Sequence, residues 1–255
     1  MAPSISALAL PVAAAVAAGL VGSFAVMRRM TLAADAMSHV ALPGIGLALL
    51  LHGNALVGGV VALALGALLI WLLQQRTRVP SEAIVGVVFS AALAVGSMLT
   101  SGEDLLEALF GAQRAPGSVE TVIGLAAAAT IAGLILWARH RLLLSLVSAD
   151  LARTAGVNVA RLDLAYLLGF AFTVALGLRY LGVLLMGSLI IIPAATARHL
   201  SRSVDTMLWA SAGLAVLATT LGIVLGGWWG LPGGPLTITV AAVFFGLAVL
   251  LRSGQ

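Results

Sequence analysis

The sequence predicts an all-α fold, a polytopic transmembrane helical bundle of eight to nine spans with its N-terminus outside and its C-terminus inside. Three observations predict it. Hydrophobic residues make up 62% of the 255 and charged residues only 9%, far too little charge for the surface of a soluble domain this size. Apolar runs of about twenty residues, the length a helix needs to cross a hydrocarbon core, recur along the whole chain. Between them, short intervals rich in arginine alternate with intervals that have little or none, as loops on the two sides of a membrane do.

Each span follows from that alternation. The first, 5–26, has no Arg or Lys before it and Arg28-Arg29 after it. A leader peptide would carry its charge in front, so the segment reads as an uncleaved span entering from outside. The second, 30–51, turns outside at His52-Gly53-Asn54, and the third, 55–73, returns to Arg76 and Arg78. Pro80-Ser81-Glu82 opens the fourth with a serine suited to capping, and it ends near residue 100. An external stretch, 101–120, holds Glu103, Asp104, Glu107 and Glu120 against Arg114. The fifth span, 121–138, comes back to Arg139 and Arg141. An internal loop, about 139–162, carries Arg153 and Arg161.

The apolar tract 162–197 is too long for one crossing and is interrupted by Arg179-Tyr180. It reads as two helices turning there, the second broken or kinked at Pro193, with Arg198 and Arg202 inside. Segment 206–225 exits to Gly226-Gly227-Trp228-Trp229-Gly230, an aromatic loop suited to the interface. The last span, 236–251, ends at Arg252. Nine crossings place every Arg cluster inside except Arg179 and Arg114; eight hold if one short segment only dips. No repeat or linker divides the chain, so residues 1–255 read as a single transmembrane domain.

Composition also excludes. The net charge of +4 comes from arginine alone, since lysine is absent. A P-loop needs its Gly-Lys-Ser/Thr step, so ATP-driven work by this chain requires a separate ATPase. The basic excess needs no nucleic-acid partner. With no cysteine, metal ligands are restricted to His, carboxylate, backbone and water.

Asp35-Ala36-Met37-Ser38-His39, followed by Val40-Ala41-Leu42-Pro43-Gly44, is the most informative motif. Residues four apart share a helix face. A carboxylate and an imidazole inside a membrane are costly unless paired, hydrated or bound to a cation. At ~1.5 Å per residue, His39 lies roughly 15 Å beyond Arg29, close to mid-membrane. Imidazole with carboxylate suits zinc, manganese or iron(II) without choosing among them. The plain alternative is an interhelical packing pair. Met37 and Ser38 lie beside it with weaker claims.

In the internal loop, Leu146, Asp150, Arg153 and Gly156 space a short helix with a glycine stop, read either as a solvated connector or as a docking helix. Small residues at Gly187, Ser188, Ala194, Ala195 and Ala197 suit close helix packing. His52, His140 and His199 sit at interfacial positions that suit solvated or packing roles.

The run 30–44 resembles the motif of permease subunits of the bacterial zinc, manganese and iron(II) ABC importers, the ABC-3 type. Ser81 to Ser90, Asp150 to Val159 and Gly182 to Ser201, with its Ile-Ile-Pro-Ala-Ala-Thr-Ala-Arg core, resemble further motifs of that family, in the right order. The resemblance implies a homodimeric or paired permease, cytosolic ATPase subunits and an extracytoplasmic metal-binding protein. It implies that Asp35 and His39 line the metal path and that Asp150, Arg153, Gly156 and Val157 belong to the ATPase-coupling segment. It further implies no permanently held cofactor and a cargo of Zn2+ or Mn2+, or Fe2+. A permease for a metal chelate or a cobalamin-like ligand would want a wider path with fewer metal-type ligands. An intramembrane enzyme would want a His-Glu-x-x-His or Gly-x-Ser-x-Gly motif, and neither is present. A secondary transporter would need more buried charge than one Asp and one His.

Overall fold

Apolar runs this long leave the backbone no partner but itself in lipid, so the chain becomes helix almost throughout. The computed structural model describes residues 5–99, 117–178 and 182–253. Among these, the elements in order are α1 (Ile5–Met27), α2 (Thr31–Leu50), α3 (Ala55–Arg76), α4 (Ser81–Leu99), α5 (Ser118–Val147), α6 (Ala149–Thr154), α7 (Val159–Leu178), α8 (Gly182–Leu200), α9 (Val204–Trp229) and α10 (Gly233–Ser253). Eight of them are long and apolar enough to cross a membrane, and α8 adds a shorter apolar stretch, Leu185–Leu200. The acidic stretch 101–116 and the Arg179-Tyr180 turn lie outside the described residues.

The structure revises several boundaries. The fifth span does not end at residue 138: α5 continues through Arg139 and Arg141 to Val147. Arginine and leucine are good helix formers, and Leu142 is buried, so the charges mark a change of surroundings and the helix carries on. Likewise Gly226 to Trp229 are the last turn of α9, which Gly230 closes in the left-handed region at φ 65°. Trp228 and Trp229 remain exposed. The helix α8 passes through Pro193 without a break. The proline removes one N–H donor, a loss that a packed membrane helix absorbs.

Helix α1 is the axis of the bundle. It packs against α2, α5, α7, α8 and α9, and Ala14, Ala15, Ala17 and Ala18 are all buried. Such small residues let backbones approach closely. A Cβ on Gly22 would land on the Ile190 carbonyl of α8, and one on Gly19 would sit 2.6 Å from Ala212 Cα of α9. Ser211 of α9 donates to the Gly19 carbonyl at 2.7 Å, a buried interhelical hydrogen bond.

Helix α2 carries a second group, packing on α3, α4 and α8. Gly44 of α2 and Gly58 of α3 each leave room for the other's carbonyl. Helix α10 closes the far side against α8 and α9.

Polar contacts gather the arginine-bearing helix ends. Arg198 of α8 donates to the Val26 carbonyl of α1 at 3.0 Å, and Arg139 pairs with Asp205 of α9 at 3.2 Å. Trp71 of α3 donates from Nε1 to the Ala160 carbonyl of α7 at 2.7 Å. Trp71→Phe keeps the ring and loses that bond, so we expect a cost of about 1 kcal/mol and a fall of roughly 2–4 °C in the thermal midpoint of the detergent-solubilised protein.

Candidate metal path and docking segment

Helix α2 begins abruptly. Arg29 takes φ 57°, the Met30 N–H bonds the Ala25 carbonyl at 2.9 Å and the Arg29 N–H bonds Val26 at 3.3 Å. This is a Schellman closure with arginine where glycine is usual. The tight turn starts α2 directly after α1 and places Asp35 a little over one turn from its start.

The structure brings Asp35 and His39 together on one face, with His39 Nε2 at 4.0 Å from Asp35 Oδ1. The His39 side chain is only 13% exposed while that of Asp35 is 56% exposed. His39 lies against the Phe89 ring of α4, centroids 5.4 Å apart. Its Nδ1 is buried and has no hydrogen-bond partner among the described residues. Ser38 turns its hydroxyl to the Ala34 carbonyl at 2.9 Å and is buried, and Met37 is also buried. On α8, a Cβ at Gly187 would meet the Ala34 carbonyl and Asp35 Cα at 3.0 Å, so glycine holds α8 against the backbone that bears the carboxylate.

Five accessible positions of α2, Thr31, Asp35, His39, Pro43 and Leu47, form a stripe that widens to Gly44, Ala48, Leu49 and Leu50 toward the C-terminal end of the helix. At a spacing of four, all five lie along one side of the helix. Among the described residues no group of three or more His, Cys, Asp or Glu could hold a metal ion. Bonds of about 2.1 Å at a tetrahedral angle put two ligand atoms roughly 3.4 Å apart, so a small rotamer shift lets Asp35 and His39 share one ion.

The family model described as the ABC 3 transport family matches residues 4–252. The chain belongs to that family. Among relatives of this ABC 3 chain, the manganese import system permease protein ScaB of Streptococcus parasanguinis is 29% identical over 98% of this chain and 91% of its own length. The high-affinity zinc uptake system membrane protein ZnuB of Haemophilus influenzae is 30% identical over 91% of this chain and 90% of its own. The structure of PsaBC from Streptococcus pneumoniae in complex with Fab superposes with a TM-score of 0.82 at 28% identity, covering 95% of this chain and 89% of that one. With its apolar helices, family membership makes the protein a multi-pass component of the cytoplasmic membrane.

The second candidate region of this ABC 3 chain folds as a short helix between two rods. Ser148 leaves α5 in an extended conformation and caps α6 by accepting the Leu151 N–H at 3.2 Å. Gly156, at φ 78°, ends it, and Val157 N–H returns to the Ala152 carbonyl at 2.9 Å. Ala152 is buried, while Asp150, Leu151 and Arg153 face outward, with Asp150 and Arg153 paired at 3.0 Å. An open groove of about 650 Å³ runs beside it, lined by Gln74 and Gln75 of α3, Arg153, Gly156 and Asp163.

Sequence reasoning passed over Asp163. It pairs with Arg28 at 2.8 Å, and the signal was there: a lone carboxylate entering an apolar tract behind an Arg-rich loop. The three other histidines sit elsewhere. His52 holds the turn after α2 at φ 54°, His140 accepts from the Nε of its neighbour Arg139 at 3.2 Å, and His199 lies in the last turn of α8.

Proposed function

We propose that this chain is the membrane permease of an ATP-binding-cassette importer that moves a divalent transition metal, Zn2+ or Mn2+ before Fe2+, into the cytoplasm. The observation that carries the reading is the α2 stripe, on which a half-exposed Asp35 and a His39 with an unpartnered buried nitrogen face one another. A carboxylate so placed on a membrane helix needs water, a cation or a partner surface. The names of the manganese and zinc relatives agree with that chemistry.

In this reading a second copy of the chain packs over the stripe and supplies a second Asp35 and His39. The arginine-bearing helix ends face the cytoplasm, with the N-terminus outside and the C-terminus inside. A cytosolic ATPase docks on α6 and its groove, through Asp150, Arg153, Gly156 and Val157, and hydrolyses the ATP that a lysine-free chain cannot handle at a P-loop. An extracytoplasmic binding protein delivers the ion to the other face. Binding of nucleotide rocks the two copies, and the two-ligand site passes the ion on.

The test is uptake by proteoliposomes holding the permease with its ATPase and binding protein, offered zinc-65 and manganese-54 in parallel. We expect ATP-dependent accumulation of at least one isotope, saturable and competed by the unlabelled ion. Transport of neither free ion, with a chelate carried instead, replaces this reading with that of a chelate permease.

A further inference from the structure

The Arg28–Asp163 pair ties the docking segment to the helix that bears Asp35 and His39. Asp163 lies in the first two turns of α7 and lines the groove beside α6. Whatever presses on α6 and Arg153 therefore also touches the wall that holds Asp163. Arg28 sits at the end of α1, its guanidinium 2.8 Å from Asp163 and 4.6 Å from the centroid of the Tyr166 ring. Tyr166 in turn donates to the Val21 carbonyl of α1 at 3.2 Å. So two residues of α7 about one turn apart grip α1 and its end at two points about two turns apart, Val21 and Arg28.

From Arg28 the route onward has no slack. The Schellman closure at Arg29 and Met30 locks the end of α1 to the start of α2. Arg198 of α8 holds the Val26 carbonyl in the same turn. Farther along α8, Gly187 lies against the Asp35 backbone. An Arg–carboxylate bond that is mostly withdrawn from solvent has direction and little give. The sequence distance between its partners, 135 residues, makes it a tie between parts of the fold that no loop connects.

We infer that Arg28 and Asp163 are positioning residues for transport: they convey displacement of the docking segment to the α1–α2 hairpin and so to the metal pair. The inference rests on the proposed permease function and deepens it. If the tie only stabilised the fold, losing it would lower protein abundance, uptake and hydrolysis together. If it conveys motion, losing it separates hydrolysis from uptake.

The experiment compares Asp163→Asn, which keeps shape and removes charge, with Arg28→Asp and with the exchanged double variant Arg28→Asp/Asp163→Arg. Each is reconstituted with ATPase and binding protein, and abundance, metal-stimulated ATP hydrolysis and isotope uptake are measured. We expect Asp163→Asn, compared with wild type at equal permease and equal bound ATPase, to lower uptake per ATP hydrolysed at least tenfold. The exchanged pair should recover half or more of that ratio. An unchanged ratio in Asp163→Asn, or uptake and hydrolysis falling in proportion without recovery in the exchange, overturns the inference.

Because the chain has no cysteine, a second measurement stands apart from transport. A single Asp35→Cys is labelled with a membrane-impermeant maleimide in the ATPase complex, with and without nucleotide. A nucleotide-dependent change in labelling that Asp163→Asn removes supports the tie. A change that persists in Asp163→Asn, or no change in either background, overturns it. Failure of the wild type to carry either isotope counts against the proposed cargo, and the labelling result then decides the tie alone.

Discussion

Alanine at Asp35 or at His39 is expected to lower metal uptake by on the order of 100-fold, equivalent to about 2.7 kcal/mol, with membrane abundance close to wild type. The argument turns on what each side chain does for the fold. Asp35 is 56% exposed and stands 4.0 Å from its partner, too far for a direct hydrogen bond. Removing a carboxyl group from a membrane helix takes away a polar group that is costly in lipid, so Asp35→Ala should leave abundance unchanged or raised. His39 gives up its contact with Phe89, worth about 1 kcal/mol. Neither loss threatens the bundle, whereas each removes half of the proposed two-ligand set. Isotope uptake, normalised to permease in the membrane, reads the effect. Uptake at wild-type rates in both variants would leave the pair a packing feature and move the path away from the α2 stripe.

The largest effect on the folded protein should come from Gly22→Leu. A Cβ at this position falls on the backbone carbonyl of Ile190, and a backbone cannot swing aside as a side chain can. Overpacking a close-packed interior costs ~1–3 kcal/mol where neighbours can adjust, and here α1 must part from α8. The same movement strains the Ser211–Gly19 hydrogen bond one turn away. Loss of most of the membrane-inserted protein, measured by immunoblot and by size-exclusion profile in detergent, is the expected outcome. Gly133→Leu, where an added Cβ meets nothing within 4 Å, is the matched control and should express normally.

Spans were readable because the bilayer imposes one strong rule on length and hydropathy. Boundaries were less so. Arg139 and Gly226 both read as ends, yet helix continues past each, because charge and glycine report surroundings more directly than they report hydrogen bonding. The Asp35/His39 pair was visible from spacing alone, since four residues fix a shared face. The groups around it were not: Phe89 on α4 and Gly187 on α8 reach the pair through tertiary packing, for which a single sequence holds no period. Asp163 was legible as a lone carboxylate in an apolar tract, but its partner was not, since Arg28 lies across the fold at the end of α1. The α6 helix, by contrast, announced itself through Gly156, whose positive φ is a local requirement.

The thirty residues of α5 span about 45 Å, against a hydrocarbon slab of roughly 30 Å. Its excess length cannot be hidden by tilt alone, and where it emerges is governed by Trp137 and Arg141, stacked at 4.4 Å in the manner of an interfacial anchor. The helix is therefore a depth gauge: from that anchor, the remaining turn and a half carries α6 about 9 Å farther along the helix axis. A thicker bilayer would pull the anchor, the rod and the platform at its tip toward the lipid together, so hydrophobic mismatch becomes a variable of the proposed coupling geometry as well as of insertion.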